Sequence, residues 1–396
     1  MKNVICSLKD FFTNRYWFQK AVTLKDYADR AGVPILFRQN TRLITSPVRY
    51  IERNEDAEQL ELYDDLLVCQ LQDASIVGSS NVVVSKSREI LYDQLVESYT
   101  NNNYKITDWG LKKRKKKPIR LGHHYIVRCR DYGMTMDAAI SLIINFAGNY
   151  YHFIMEAISK FYLLAQCNIP DDVPVLIDYR VSEIPQQMEL LRMFLGNRKI
   201  IYLKPRHLCH VKRLYCLSNV NRIIPNYVDI KKIKTEDNWF CPNAIDYVRQ
   251  RFLAFAKKRE TSPKRFFIAR KHTTSRSYNE RELTQIALEY GFEILSPEEY
   301  TVTEQFGFFS SVECVIAASG AALSNIICCR PGCKVLVLFS QKIDLSIFSG
   351  LAACLNIDMR YLTGKSADPS ILHSSYTIDK DDFRQSITNW LISSAI

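Results

Sequence analysis

No apolar run in the 396 residues approaches the roughly 20 that a helix needs to cross a bilayer, and the longest, "DAAISLIINFAG", falls well short. A membrane-spanning segment is therefore not expected. The opening "MKNVICSLKDFFTNRYWFQK" has charges every few residues, so it does not read as a secretory leader, and a cytoplasmic protein is expected. Internal repeats and low-complexity tracts are missing too, which excludes a solenoid or a largely disordered chain. The twelve cysteines are scattered. The two clusters, "HLCH" (His207, Cys209, His210) and "CCRPGC" (Cys328, Cys329, Cys333), lack the paired C-x2-C spacing of a structural zinc site. Buried free thiols in a reducing compartment are the expectation, with no metal.

The length favours two domains, each large enough for its own core. A hydrophobic share of 47% and a charged share of 24% are those of an ordinary globular chain. The balance is basic: 53 Lys and Arg against 42 Asp and Glu, a formal net charge of +11. Part of that charge lies in "KKRKKKP", Lys112–Lys117 and the proline after it, which reads as a patch for anionic lipid or nucleic acid, or as a solvated loop. No aromatic residue interleaves the run, so a stacking platform for single strands is not expected. General basicity also suits a ligand that carries phosphates.

The first hundred residues mix helical and β-rich stretches and hold no usable motif. From Tyr125 the pattern sharpens. "YIVRCR", "VPVLID", "KIIYLK" and "RLYCLS" read as strands, with helices over Asn149 to Cys167 and over "PQQMELLRMFLG". Periodicity is lost between Ile224 and Pro242, which reads as a linker. After it, "RFFIAR", "FEILS", "CVIAAS" and "KVLVLF" alternate with helices within about 75 residues, the mark of a Rossmann-like half sheet. The expected fold class is α/β, with domains over 1–240 and 241–375. Residues 376–396, ending in "KDDFRQSITNWLISSAI", read as an amphipathic helix packed across domains.

Three clusters carry possible chemistry. With Asn149 as helix cap, His152 and Glu156 are four residues apart on one face. His152 can then act as a general base, with Glu156 orienting the ring and stabilising the imidazolium. On spacing alone the pair reads more readily as a packed histidine. In "CVIAASGAALSN" a strand runs into Ser319 and Gly320 and small residues open a helix, which presents backbone N–H groups to an anion or simply makes a tight turn. In "FIARKHTTSRSYNERE", Arg270 ends a strand and Arg276 lies in the following loop, so two guanidiniums are available to clamp a diphosphate.

Together these segments resemble glycosyltransferase family 61, the group that includes bacterial capsular polysaccharide enzymes and eukaryotic xylosyl- and N-acetylglucosaminyltransferases. The resemblance rests on N-x-x-H-x-x-x-[DE] (Asn149, His152, Glu156) and on R…R-x-x-N-E (Arg270, Arg276, Asn279, Glu280). It continues through "SPEEYTVTEQFGFFSSVECVIAASGAALSNIICCRPGCKVLVLF". It implies a GT-B fold, two Rossmann-like domains about a cleft, and an inverting mechanism without a metal or other cofactor. It further implies a nucleotide-sugar donor, most simply a UDP-sugar, on the C-terminal domain. Catalysis would fall to His152 and Glu156. Donor binding would fall to Asn149, Arg270, Arg276, Asn279, Glu280, Glu304 and Gln305, and to the run Ser319, Gly320, Ala321, Ala322, Leu323, Ser324 and Asn325. The acceptor would be a saccharide or lipid-linked saccharide of surface-polysaccharide biosynthesis, met at the inner membrane face, with Lys112–Lys117 as the contact to anionic lipid. Two positions depart from the family pattern: Ser319 stands where it usually has histidine, and Val337 where it often has glutamate. Glu304 and Glu280 are the carboxylates left to hold a ribose. A catalytically silent GT-B-like protein that binds a polysaccharide or a partner is the alternative. A nucleic-acid binder rests on the basic charge alone, and no specific nucleic-acid partner is expected.

Overall fold

The computed structural model describes residues 14–52, 58–92, 120–121, 124–224, 231, 233–257, 263–270, 276–372 and 374–392. Lys112–Lys117 lie outside them. The chain divides into two compact units: 1–41 with 63–228, and 42–62 with 229–396. The boundary expected from the sequence is 240/241; the return of 42–62 to the later unit had no signal in the sequence. The mixed α/β class is evident in both.

The first unit is built on a ten-stranded mixed sheet. Its strands are β1 (Asn14–Thr23), β2 (Ile35–Thr45), β3 (Leu60–Val77), β4 (Val83–Val84), β5 (Ile90–Tyr92), β6 (Arg120–Leu121), β7 (His124–Ser141), β8 (Val175–Asp178), β9 (Ile200–Leu203) and β10 (His207–Leu217). The order is β1-β5-β4-β3-β10-β7-β8-β9, and β1 also pairs with β7, which closes six of the strands into a ring. A Rossmann-like domain was expected here, and the structure differs. β7, β8 and β9, with β10 beside β7, form a parallel block and β1 pairs parallel with β5, while β3, β4 and β5 pair antiparallel among themselves. The reason is local. No helix separates β3, β4 and β5, and the short turns between them, with Ser79 (φ 55°) and Arg88 (φ 63°) in the left-handed region, can only return the chain antiparallel. Helix α1 (Leu24–Ala31) is capped by Thr23, whose side chain accepts from the Asp26 N–H. The core gathers Leu67, Cys69, Leu71, Ala139, Leu176 and Leu214.

A helical run, α2, follows β7. It opens at Tyr150–His152, widens to a π-turn over Phe153–Ala157, tightens over Ile158–Lys160 and closes over Phe161–Leu164. Helix α3 (Pro185–Leu195) links β8 to β9 and ends at Gly196, whose φ of 59° suits a residue without a side chain.

The second unit follows the expected alternation through α4 (Pro242–Ala254), β11 (Arg265–Ile268), α5 (Glu280–Glu289), β12 (Glu293–Leu295), α6 (Val302–Ser311), β13 (Cys314–Ala318) and β14 (Lys334–Phe339), and adds α7 (Ser349–Cys354) and β15 (Asp358–Thr363), neither of them expected from the sequence. A 3-10 turn over Ala321–Cys328 stands where a helix was read. The five strands are all parallel, in the order β12-β11-β13-β14-β15. Numbered from one, that is 2-1-3-4-5, so the winding direction reverses between β11 and β13, and ligands of open α/β sheets bind outside the carboxyl ends of strands at such a point. A hairpin, β16 (Lys365–Ser366) with β17 (Tyr376–Thr377), precedes α8 (Lys380–Ser386) and its π-helical extension to Leu391. That last helix, read as spanning domains, is part of the second unit's core. Phe383, Ile387 and Trp390 pack with Phe267, Leu283 and Leu336. Among the described residues no helix is long and apolar enough to cross a membrane.

Candidate active site

The first cluster is set by the turn after β7. The side chain of Asn149 accepts from the backbone N–H groups of Tyr151 (2.9 Å) and His152 (3.3 Å), which starts α2 one residue after Gly148. His152 Nδ1 then meets Glu156 Oε2 at 2.5 Å. The imidazole side chain is 15% exposed and the carboxylate 4%, so the ring reaches the surface while its partner stays inside. Phe146 and Tyr151 flank the ring, with centroids at 5.2 and 5.5 Å. With Nδ1 engaged by a carboxylate, Nε2 is the nitrogen free to take a proton.

The second cluster lies at the reversal of the parallel sheet. Arg270 follows β11 and Ser319 follows β13, and the Arg270 guanidinium donates to the Ser319 carbonyl. Gly320 lies against that guanidinium: a Cβ there would sit 2.6 Å from Arg270 Nη2. Behind it, the Glu280 carboxylate accepts from the Arg270 backbone N–H (3.2 and 3.3 Å) and from the Tyr278 hydroxyl (2.6 Å). Burial, reinforced by that carboxylate, pushes the Tyr278 phenol well above its ordinary range. Tyr278 stacks on Tyr376 at 5.4 Å, and the Tyr376 hydroxyl donates to the Leu338 carbonyl at 3.2 Å. Arg276 adopts φ 62° and lines the same small pocket as Arg270, Ser319, Phe339, Ser340 and Tyr376. Its guanidinium makes no hydrogen bond or ion pair among the described residues, and burial, with the charge of Arg270 beside it, lowers its affinity for the proton. Two positive groups without a facing carboxylate make a pocket for an anion.

The remaining sequence-named residues are placed differently. Asn279 holds the chain together: its amide donates to the Ile378 carbonyl and accepts from the Ile378 N–H, both at 3.0 Å. Glu304 forms a capping box with Thr301 at the start of α6 and pairs with Lys257. Gln305 is buried and accepts from Asn325 (2.8 Å) while donating to the Pro297 and Tyr300 carbonyls. Leu323 and Ser324 are buried, and Ala321 and Ala322 stay half-exposed beside Gly320. Of the named donor residues, only Arg270, Arg276 and Ser319 line the pocket, with Gly320 against Arg270 and Glu280 behind it. Tyr376, Phe339 and Ser340 were missed: Tyr376 lies a hundred residues beyond Arg276 and no local motif marks it.

Of the two cysteine clusters, Cys209 points into the core while His210 pairs with Ser75 (2.8 Å) and Asp131 (3.6 Å). Among the described residues no three His, Cys, Asp or Glu side chains converge on a metal position.

Residues 150–336 match the family model described as glycosyltransferase 61, a span that holds His152, Glu156, Arg270, Arg276 and Ser319 to Asn325. That match makes residues 150–336 similar to glycosyltransferase family 61. The chain is a glycosyltransferase, and such an enzyme binds a nucleotide-sugar donor and a saccharide acceptor. No curated protein matches the chain. A solved structure it resembles is the dodecameric iron-containing heptosyltransferase TibC in complex with ADP-D-beta-D-heptose. The identity is 9% and the TM-score 0.25, over 92% of this chain and 81% of that one, too remote a likeness to bear on this chain.

Proposed function

We propose that this chain is a family 61 enzyme, an inverting transferase of GT-B type that needs no metal. It would move a sugar from a UDP-sugar to a saccharide or glycolipid precursor of a surface polysaccharide. The observation that carries the reading is the largely buried guanidinium of Arg276, without a hydrogen-bond or ion-pair partner among the described residues, beside Arg270 at the reversal of the parallel sheet. A donor diphosphate answers both positive groups, and as the glycosidic bond breaks they stabilise the charge that builds on it, the work a divalent ion does elsewhere. His152 Nε2 takes the acceptor hydroxyl's proton while that oxygen bonds to the anomeric carbon on the face opposite the leaving nucleotide. The C1–O bond breaks, and its electron pair leaves with the nucleoside diphosphate. Glu156 offsets the charge on the imidazolium. The enzyme would work in the cytoplasm at the inner membrane face.

The test is thermal stability against UDP-, GDP-, CMP- and dTDP-sugars with EDTA present, on the native chain and on Arg276→Ala. A donor at 100 times its dissociation constant stabilises by about 2.7 kcal/mol. One responding nucleotide, lost in the variant, names the donor; silence across the panel overturns the reading.

A further inference from the structure

The His152–Glu156 pair is carried on an irregular helix. Glu156 lies inside the π-turn Phe153–Ala157, between the α-helical start that carries His152 and the tight turn Ile158–Lys160. A π-turn accommodates one extra residue, about 100° of rotation at 3.6 residues per turn. Without it, either His152 would leave the surface or the buried face that includes Ile158, Phe161 and Leu164 would leave the core. Such a turn also disturbs the regular ladder: the Ile158 N–H is shared between the Ile154 and Phe153 carbonyls, and further donors strengthen the turn.

Two fully buried side chains supply them. The Ser159 hydroxyl donates to the Ile154 carbonyl at 2.9 Å. The Asn221 amide donates to the Met155 carbonyl at 2.8 Å and to Ser159 Oγ at 3.2 Å. Asn221 comes from the segment after β10, which is fixed on both sides to the start of β3. Ser218 Oγ accepts from the Leu67 N–H at 2.8 Å, and Arg222 pairs with Asp64. The sheet therefore grips the backbone of Met155, the residue immediately before Glu156.

We propose that Asn221 and Ser159 are positioning residues for the His152–Glu156 pair: they hold the π-turn open so that the carboxylate stays on Nδ1 and keeps Nε2 unprotonated. This rests on the reading of His152 as base. Asn221→Asp keeps the shape and removes the donor; Ser159→Ala removes the hydroxyl alone and is the second variant should the first not fold.

The direct readout is the tautomer of His152 in 15N NMR of the full chain, with the signal among seven histidines assigned by its loss in His152→Ala. The native chain should show the Nδ1-protonated form, and each folded variant the Nε2-protonated form or a mixture. Hydrolysis of the nucleotide-sugar selected by the stability panel should fall about 10- to 100-fold in kcat, the range for an outer partner of an active-site group, with KM held. In a His152→Ala background the same substitutions should cause no further loss. An unchanged tautomer in a folded variant overturns the proposal, as does a loss that persists without His152. Full activity of His152→Ala would instead sink the base reading alone, because the tautomer still reports on the turn.

Discussion

A side chain at Gly320 would sit 2.6 Å from Nη2 of Arg270, so the glycine and the guanidinium occupy adjoining space at the end of β13. The atom in the way is the far end of a flexible side chain, not backbone. Gly320 has an extended φ of 177°, which any residue adopts, so an alanine there brings no backbone strain. Gly320→Ala should therefore fold, with a melting temperature within a few degrees of native, and should swing Arg270 off the Ser319 carbonyl. Donor affinity, by calorimetry, should drop about tenfold or more, since a charge-assisted contact contributes about 1.5–3 kcal/mol. An unchanged affinity would mean that Arg270 does not hold the donor.

His152→Ala should lower the transfer rate about 100- to 10,000-fold while leaving donor affinity intact, as removal of a general base does. Glu156→Gln keeps the shape and removes the charge that stabilises the imidazolium, so it should lie between that variant and native. Single-turnover rates and donor binding measured on the same preparations separate the two effects. A fall in binding that matches the fall in rate would reassign the histidine to packing.

Four of the second unit's five strands were legible because they are short apolar runs set apart by helices or a tight turn, and parallel strands buried on both faces read that way. The His152–Glu156 contact was legible for a related reason: Asn149, His152 and Glu156 fall within eight residues, and a cap with an i,i+4 pair is a local pattern. What escaped is what acts at a distance. Tyr376 joins the pocket through a hairpin near the chain's end, and Asn221 reaches the π-turn from the segment after β10. The first sheet was misread because a strand's pairing partner depends on what connects the strands, and the turns after β3 and β4 carry no pattern that separates a hairpin from a loop. The spacing of His152 and Glu156 likewise fits a plain α-helix, so the π-turn between them left no trace.

Acid should weaken the first unit through His207. Burial, then the charges of Arg130 and Lys204, hold its imidazole below the ordinary value of 6.5. The unfolded chain thus binds the proton more readily, and stability rises with pH across the window between the lowered value and 6.5. Below that window the contribution is lost. His207→Gln should flatten the melting-temperature profile between about pH 5 and 7 relative to native, the range a histidine governs. Equal slopes for both chains would remove His207 as the cause.

Gln305 and Asn325 supply the sharpest contrast with the expectation that both bind donor. Asn325 donates to Gln305 at 2.8 Å, and Gln305 in turn closes the loop before α6 by donating to Pro297 and Tyr300, all inside the second unit. Removing one partner leaves a buried amide unsatisfied, a loss of about 1–3 kcal/mol. Asn325→Ala should accordingly lower the denaturant midpoint of the chain while the folded fraction keeps native donor affinity. The reverse pattern, native stability with weakened binding, would return Asn325 to the donor site. It would also mean that the 3-10 turn after Gly320 moves on binding, because its amide now faces Gln305 and not the pocket that Arg270 and Arg276 line.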